Sequence, residues 1–172
     1  MYPTAYIQFL IHFHGDYDYF ECHEVLEEYW KLKPRGERDD YLVGFIQIAV
    51  SLYHHRRSNW NGAVRMMKSA ISILEKEGDQ IHAYGLDHRK LIPLLKNHLQ
   101  STQNGEPFAH LFLPFADATL EQTCIQLCTK KGLLWKDTAS IQTEYIVHKH
   151  TLRNRSDVIA ERNEQLKKRK QR

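Results

Sequence analysis

Apolar residues recur at helical spacing through most of the first hundred positions. Ile7, Leu10 and Ile11 follow a 3.6-residue period after Pro3, and Gly15-Asp16 ends that first helix. A second helix is predicted over 18–33, with Phe20, Val25, Leu26, Tyr29 and Trp30 as core candidates and Pro34-Arg35-Gly36 as its stop. The third, over 40–56, carries Leu42, Val43, Phe45, Ile46, Ala49, Val50 and Tyr53 around most of its circumference, which marks it as the central helix. Asn59 is placed to cap a fourth, over 59–77, whose stripe runs through Ala63, Met66, Met67, Ala70, Ile71 and Leu74 to the stop at Glu77-Gly78-Asp79. Short connections force these three helices to run antiparallel.

Farther along, Asp87 can cap a fifth helix through Leu91, Leu94, Leu95 and Leu99, with Pro93 confined to its opening turns. Ser101 to Pro114, containing Asn104-Gly105 and Pro107, reads as a linker. A sixth helix is predicted from Asp117 to Lys131, stopped by Gly132. Leu133-Leu134-Trp135 and the β-branched run Ile141 to Val147 fit either a small β-hairpin near residues 133–148 or a continuing helix. Asp157 to Lys170 reads as a polar terminal helix. The fold expected is all-α: a bundle of five to seven helices around an antiparallel three-helix core. Residues 1–100 form the helical core domain, and 101–172 a helical extension packed on the same core. No second copy of any segment occurs at a period of roughly 34 residues, which disfavours a repeat array.

Composition narrows the class. At 172 residues, 42% hydrophobic and 26% charged, the chain suits one globular domain. No apolar run reaches the roughly 18–20 residues of a membrane span, and no basic n-region precedes the first apolar stretch, so neither a span nor a secretory signal is expected. Three cysteines give no disulfide framework and suit a reducing cytoplasm. The formal charge of +3 hides an uneven distribution. Residues 1–147 hold 15 Lys+Arg against 18 Asp+Glu, whereas 148–172 hold 9 against 3. That basic tail reads first as a solvated helix end, favoured by the helix dipole. It can also dock on the acidic face of Asp18 to Glu28, on a second copy in a homo-oligomer, or on nucleic acid. No aromatic lies beyond Tyr145 for base stacking, so nucleic-acid binding is expected to be at most weak and sequence-blind.

The densest chemistry lies in the second helix. His23, Glu27 and Trp30 fall at i, i+4 and i+7, putting an imidazole, a carboxylate and an indole on the face that also presents Phe20, while Glu24 sits one residue round. Such a set can act as an acid/base pair, with His23, Glu24 and Glu27 as catalytic candidates, or ligate a divalent cation. The spacing is neither that of the zincins nor that of di-iron bundles. A structural role is the competing reading, with His23 and Glu27 hydrogen-bonding across the bundle to fix helix register. On the third helix Gly44, Gln47, Ser51 and His54 form a strip of small and polar residues that can complete the cluster, making His23, Glu27 and His54 the candidate metal set. His55, Arg56 and Arg57 read as solvated cations at that helix's end. Cys124 and Cys128 read as buried small hydrophobes. His148 and His150 alternate as on one strand face, and Lys149 and Arg153 disfavour them as cation ligands. No phosphate loop, nucleophile elbow or dinucleotide fingerprint appears, which leaves nucleotide hydrolysis and Rossmann chemistry unsupported.

The run Phe13-His14-Gly15-Asp16-Tyr17, then Tyr19 to Trp30 with its His-Glu-x-x-Glu core, then Gly44 to Val50, Tyr53-His54, Asn59 and Gly62-Ala63 resembles the prokaryotic family called domain of unknown function 309. The likeness covers about residues 10–75 and is closest to the longer, Bacillus-type members. It implies a small all-helical protein in which His23, Glu24, Glu27, Trp30, Gln47, His54 and Asn59 belong together, and it implies no reaction. Cys22 stands where such members more often carry a small residue. The favoured expectation is therefore a non-enzymatic binding or scaffold module, whose cluster of Trp30, Gln47, Ser51, His54 and Asn59 around His23 is structural or holds a small ligand. The alternative is a metal-assisted or acid/base hydrolase using His23, Glu24 and Glu27, with a divalent metal as its cofactor.

Overall fold

A computed structural model describes residues 1–139 and 144–152, together with 159, 160, 163, 164 and 167. The chain is all-α. Helix α1 (Thr4–Ile11) runs into a π-helical turn (His12–Asp16), and Tyr17, at φ 55°, reverses the chain into α2 (Tyr19–Lys31). Then follow α3 (Asp40–Arg56), α4 (Trp60–Leu74), a short α5 (Gly78–Ala83), α6 (His88–Gln103) and α7 (Ala118–Lys130), with one-turn pieces α8 (Glu144–Val147) and α9 (Lys149–Leu152).

Four of these starts are set by local side-chain caps. Asp18, Asn59, Asp87 and Asp117 each accept a backbone N–H of their helix's first turn, satisfying donors that have no intrahelical partner. Helix α3 is central: Phe45, Ile48, Ala49 and Leu52 are wholly buried, and it packs against both α2 and α4. Helix α4 in turn lies on α6, and α1 on α2 and α7. Where α3 meets α4, a Cβ on Gly44 would stand 2.6 Å from Leu74 Cγ, so only glycine permits that approach.

The structure departs from the sequence reading in several places. The fourth helix ends at Leu74, and Gly78-Asp79 opens α5 instead of only closing α4. Ser101–Gln103 continue α6, while the following extended segment alternates Leu111 and Leu113 into the core. That period-two alternation, between Pro107 and Pro114, marks the segment as packed chain and not a linker. Among the described residues there is no strand, only an isolated bridge between Leu86 and Phe115. The hairpin alternative is thus replaced by helix at Glu144–Val147; residues 140–143, and most of the expected terminal helix, lie outside the described residues. No helix of the described residues is long and apolar enough to cross a membrane.

Candidate functional site

Helix α2 begins where Asp18 Oδ1 accepts the Glu21 N–H at 2.9 Å, and from there its 3.6-residue period turns His23 and Glu27 to the same side. His23 Nδ1 lies 3.0 Å from a Glu24 carboxylate oxygen and its Nε2 3.5 Å from one of Glu27, whose other oxygen takes the Lys31 ammonium at 3.1 Å. The His23–Glu27 pair therefore closes within α2 and does not bridge the bundle. All three side chains are about a third exposed or less, and one ligand atom from each falls within 4.8 Å of the others. One imidazole nitrogen with two carboxylate oxygens suits a borderline divalent cation.

A pocket of about 170 Å³ opens beside this set, between α2 and the last turns of α3. Its walls are Tyr19, Phe20, Val50 and Tyr53, and three imidazoles border it: His23, His54 and His150. His54 thus shares the pocket with His23 while standing outside the three-residue ligand set. The Asn59 amide donates to His54 Nδ1 at 3.0 Å, which leaves the His54 proton on Nε2. Burial lowers the His54 pKa, and the charges of Arg57 and Arg65 lower it further. Asn59 does double duty, because its Oδ1 accepts the Gly62 N–H at 3.1 Å and caps α4.

The remaining sequence candidates lie elsewhere on the same helices. Ser51 Oγ donates to the Ala63 carbonyl at 2.7 Å, so that it and Gly44 belong to the α3–α4 seam. Trp30 holds the Arg38 guanidinium 4.4 Å above its ring, and its indole N–H is buried without a hydrogen-bond partner. The Gln47 side-chain oxygen is likewise buried and unpartnered. Cys22, Cys124 and Cys128 are free and buried. Burial pushes the Cys22 thiol up, Cys124 to about 12 and Cys128 to about 11, which argues against thiolate chemistry.

Other polar residues occupy positions the sequence did not predict. His55 is buried and Arg56 largely so, in place of the solvated cations expected at the end of α3, because the segment after α6 folds over that turn: His55 Nε2 donates to the Glu106 carbonyl at 3.1 Å. Arg56 Nη1 donates to the Tyr17 carbonyl at 2.8 Å, over the Tyr19 ring. His14 is wholly buried; its place one turn after Leu10, on the apolar stripe, was the available signal. His148 and His150 share no strand face. Both instead accept from Arg57, at 3.1 and 3.2 Å.

Residues 6–66, which include most of α1, all of α2 and α3 and the whole His23 set, match the family described as Domain of unknown function (DUF309). The uncharacterized protein YpuF of Bacillus subtilis (strain 168) is 44% identical over 170 residues, covering 99% of this chain and 98% of that protein. No solved structure matches. With the family's matched segment lying over the helices that build the pocket, and a relative this similar along nearly its full length, the chain belongs to the DUF309 family.

Proposed function

We propose that the protein is a non-enzymatic helical binding module whose ligand site is the pocket between α2 and α3. One observation carries this reading: an apolar recess of about 170 Å³, walled by Phe20, Val50 and the Tyr rings, with His23 and His54 placed at its edge. Apolar walls with a few convergent polar groups are the general form of a small-molecule site. The volume suits one ring or a short aliphatic group, so the ligand is a small molecule or a single side chain of a partner. Three unpaired thiols support a reducing, cytoplasmic setting. Leu111, Leu113 and Leu120, which share the buried core with α1 to α4, support a C-terminal extension packed on the core domain.

The second reading, a metal-assisted or acid/base hydrolase, is favoured by the 4.8 Å convergence of His23, Glu24 and Glu27. One experiment separates the two. Protein purified without a histidine tag is assayed for bound metal and titrated with single-ring fragments by NMR, alongside Val50→Trp, which fills the pocket. The binding module is expected to show fragment-induced shifts at Phe20, Tyr53 and Val50 that Val50→Trp abolishes, with no stoichiometric metal. Stoichiometric zinc, manganese or iron that His23→Ala removes would establish the hydrolase reading in its place.

A further inference from the structure

The pocket borders a ring from this chain's own tail. The His150 imidazole packs 6.5 Å from the Phe20 centroid and meets the Tyr53 ring edge-on, at 5.2 Å and 89°. Both ring nitrogens are read by the site. Arg57 Nη1, which can only donate, lies 3.2 Å from His150 Nε2, so that nitrogen accepts. The proton is therefore on Nδ1, which faces the Tyr53 hydroxyl oxygen. Aromatic walls, one donor and one acceptor thus engage a flat heterocycle with nitrogens in 1,3 relation.

The neighbours of His150 add contacts of their own, and the Lys149 ion pairs lie apart from the groups that read the ring. Lys149 Nζ lies 2.8 Å from both Asp18 Oδ2 and Glu21 Oε2, and His148 Nδ1 accepts from Arg57 Nε at 3.1 Å. The Asp18 and Lys149 side chains are only 8% and 17% exposed, so this ion pair is screened less than a surface one. Asp18 also acts on Arg56, whose Nε and Nη2 are buried with no hydrogen-bond partner. The Lys149 and His148 contacts together latch the segment against the pocket.

We propose that His150 is a self-ligand at the mouth of the pocket: when the His148–His150 segment is displaced, the Phe20, Tyr53 and Arg57 groups that hold its ring take instead a planar nitrogen heteroaromatic group, with one ring N–H and one ring acceptor, that extends into the recess. This rests on the pocket being a ligand site. Competition lowers apparent affinity by the fraction of molecules in which the segment is undocked. Opening the latch should therefore tighten binding without adding any contact.

The test uses the full chain, with benzimidazole as the probe and indene, its nitrogen-free counterpart, as the control. Lys149→Glu reverses the charge facing Asp18 and Glu21, and Lys149→Ala removes it without adding another. Thermal melts followed by circular dichroism establish that both variants fold. Lys149→Glu is expected to bind benzimidazole about tenfold more tightly than the wild type. Indene should bind less well than benzimidazole, and amide exchange at 148–150 should rise. Equal benzimidazole affinity in wild type and Lys149→Glu would overturn the latch and leave the pocket standing. Weaker binding in Lys149→Glu would make His150 part of the site's wall and also overturn it. Indene binding as well as benzimidazole would overturn the heteroaromatic class. No binding of either probe to any variant would remove the pocket reading, and the latch with it.

Discussion

His14 Nε2 accepts the Leu113 N–H at 3.0 Å across 99 residues of sequence, while its Nδ1 donates to the Leu10 carbonyl at 3.0 Å. The neutral ring is thereby fully used, tying the π-helical turn to the segment that returns after α6. Protonating Nε2 would remove the Leu113 bond and bury a charge.

Acid should therefore weaken the fold in a definable window. Burial drives the His14 pKa down to about 3; the Leu10 bond opposes this and the Lys136 charge adds to it. His98 falls to about 4, through burial and then the neighbouring His55. Unfolded, both titrate near the ordinary value of 6.5. Between there and the folded values the unfolded state binds more protons, so stability is complete above about pH 6.5 and declines as pH falls toward 3, at about 1.4 kcal/mol per pK unit of separation. Denaturant titrations from pH 7.5 to 4 should show this decline, and His14→Gln should flatten it. An unchanged slope in His14→Gln would place the acid sensitivity elsewhere.

Gly44→Ala should destabilise despite alanine's better helix propensity. The propensity gain is about 1 kcal/mol. Against it stands a Cβ 2.6 Å from Leu74 in a packed seam, where overpacking costs about 1–3 kcal/mol. Denaturant midpoints read the net loss. In Gly44→Ala/Leu74→Ala the two penalties should be less than additive, since the cavity at 74 accommodates the new methyl group.

Ser51→Ala tests the same seam through a hydrogen bond. The Ser51 hydroxyl is buried, and removing it leaves the Ala63 carbonyl without that donor. A loss of about 1 kcal/mol is expected, with α4 as the helix that exchanges amide protons sooner.

Asn59→Asp separates capping from tuning. A carboxylate keeps the α4 cap, so thermal stability should change little. It also puts a negative charge 3.0 Å from His54 Nδ1, where a neutral amide now donates. The His54 pKa, lowered in the native protein by burial and by Arg57 and Arg65, should rise. Histidine side-chain NMR titration reads that shift; a further fall would contradict the geometry at Asn59.

The sequence by itself determined the elements and the local chemistry. Helices α2, α3, α4, α6 and α7 follow from apolar period, and the Asn59 and Asp87 caps from residue type at a helix start, because both signals act within a few residues of chain. The proximity of His23, Glu24 and Glu27 is equally local, since one helical turn guarantees it. Only the tertiary structure decided which groups lose water and which distant groups meet. Arg56 and His55, at a helix end that reads as solvated, are covered by Tyr17, Tyr19 and the chain near Glu106. His150 reaches Tyr53 and Phe20, and Lys149 reaches Asp18, across a separation that no sequence period encodes. Burial and long-range pairing depend on how faces stack in three dimensions, and helical periodicity specifies each face without naming its neighbour.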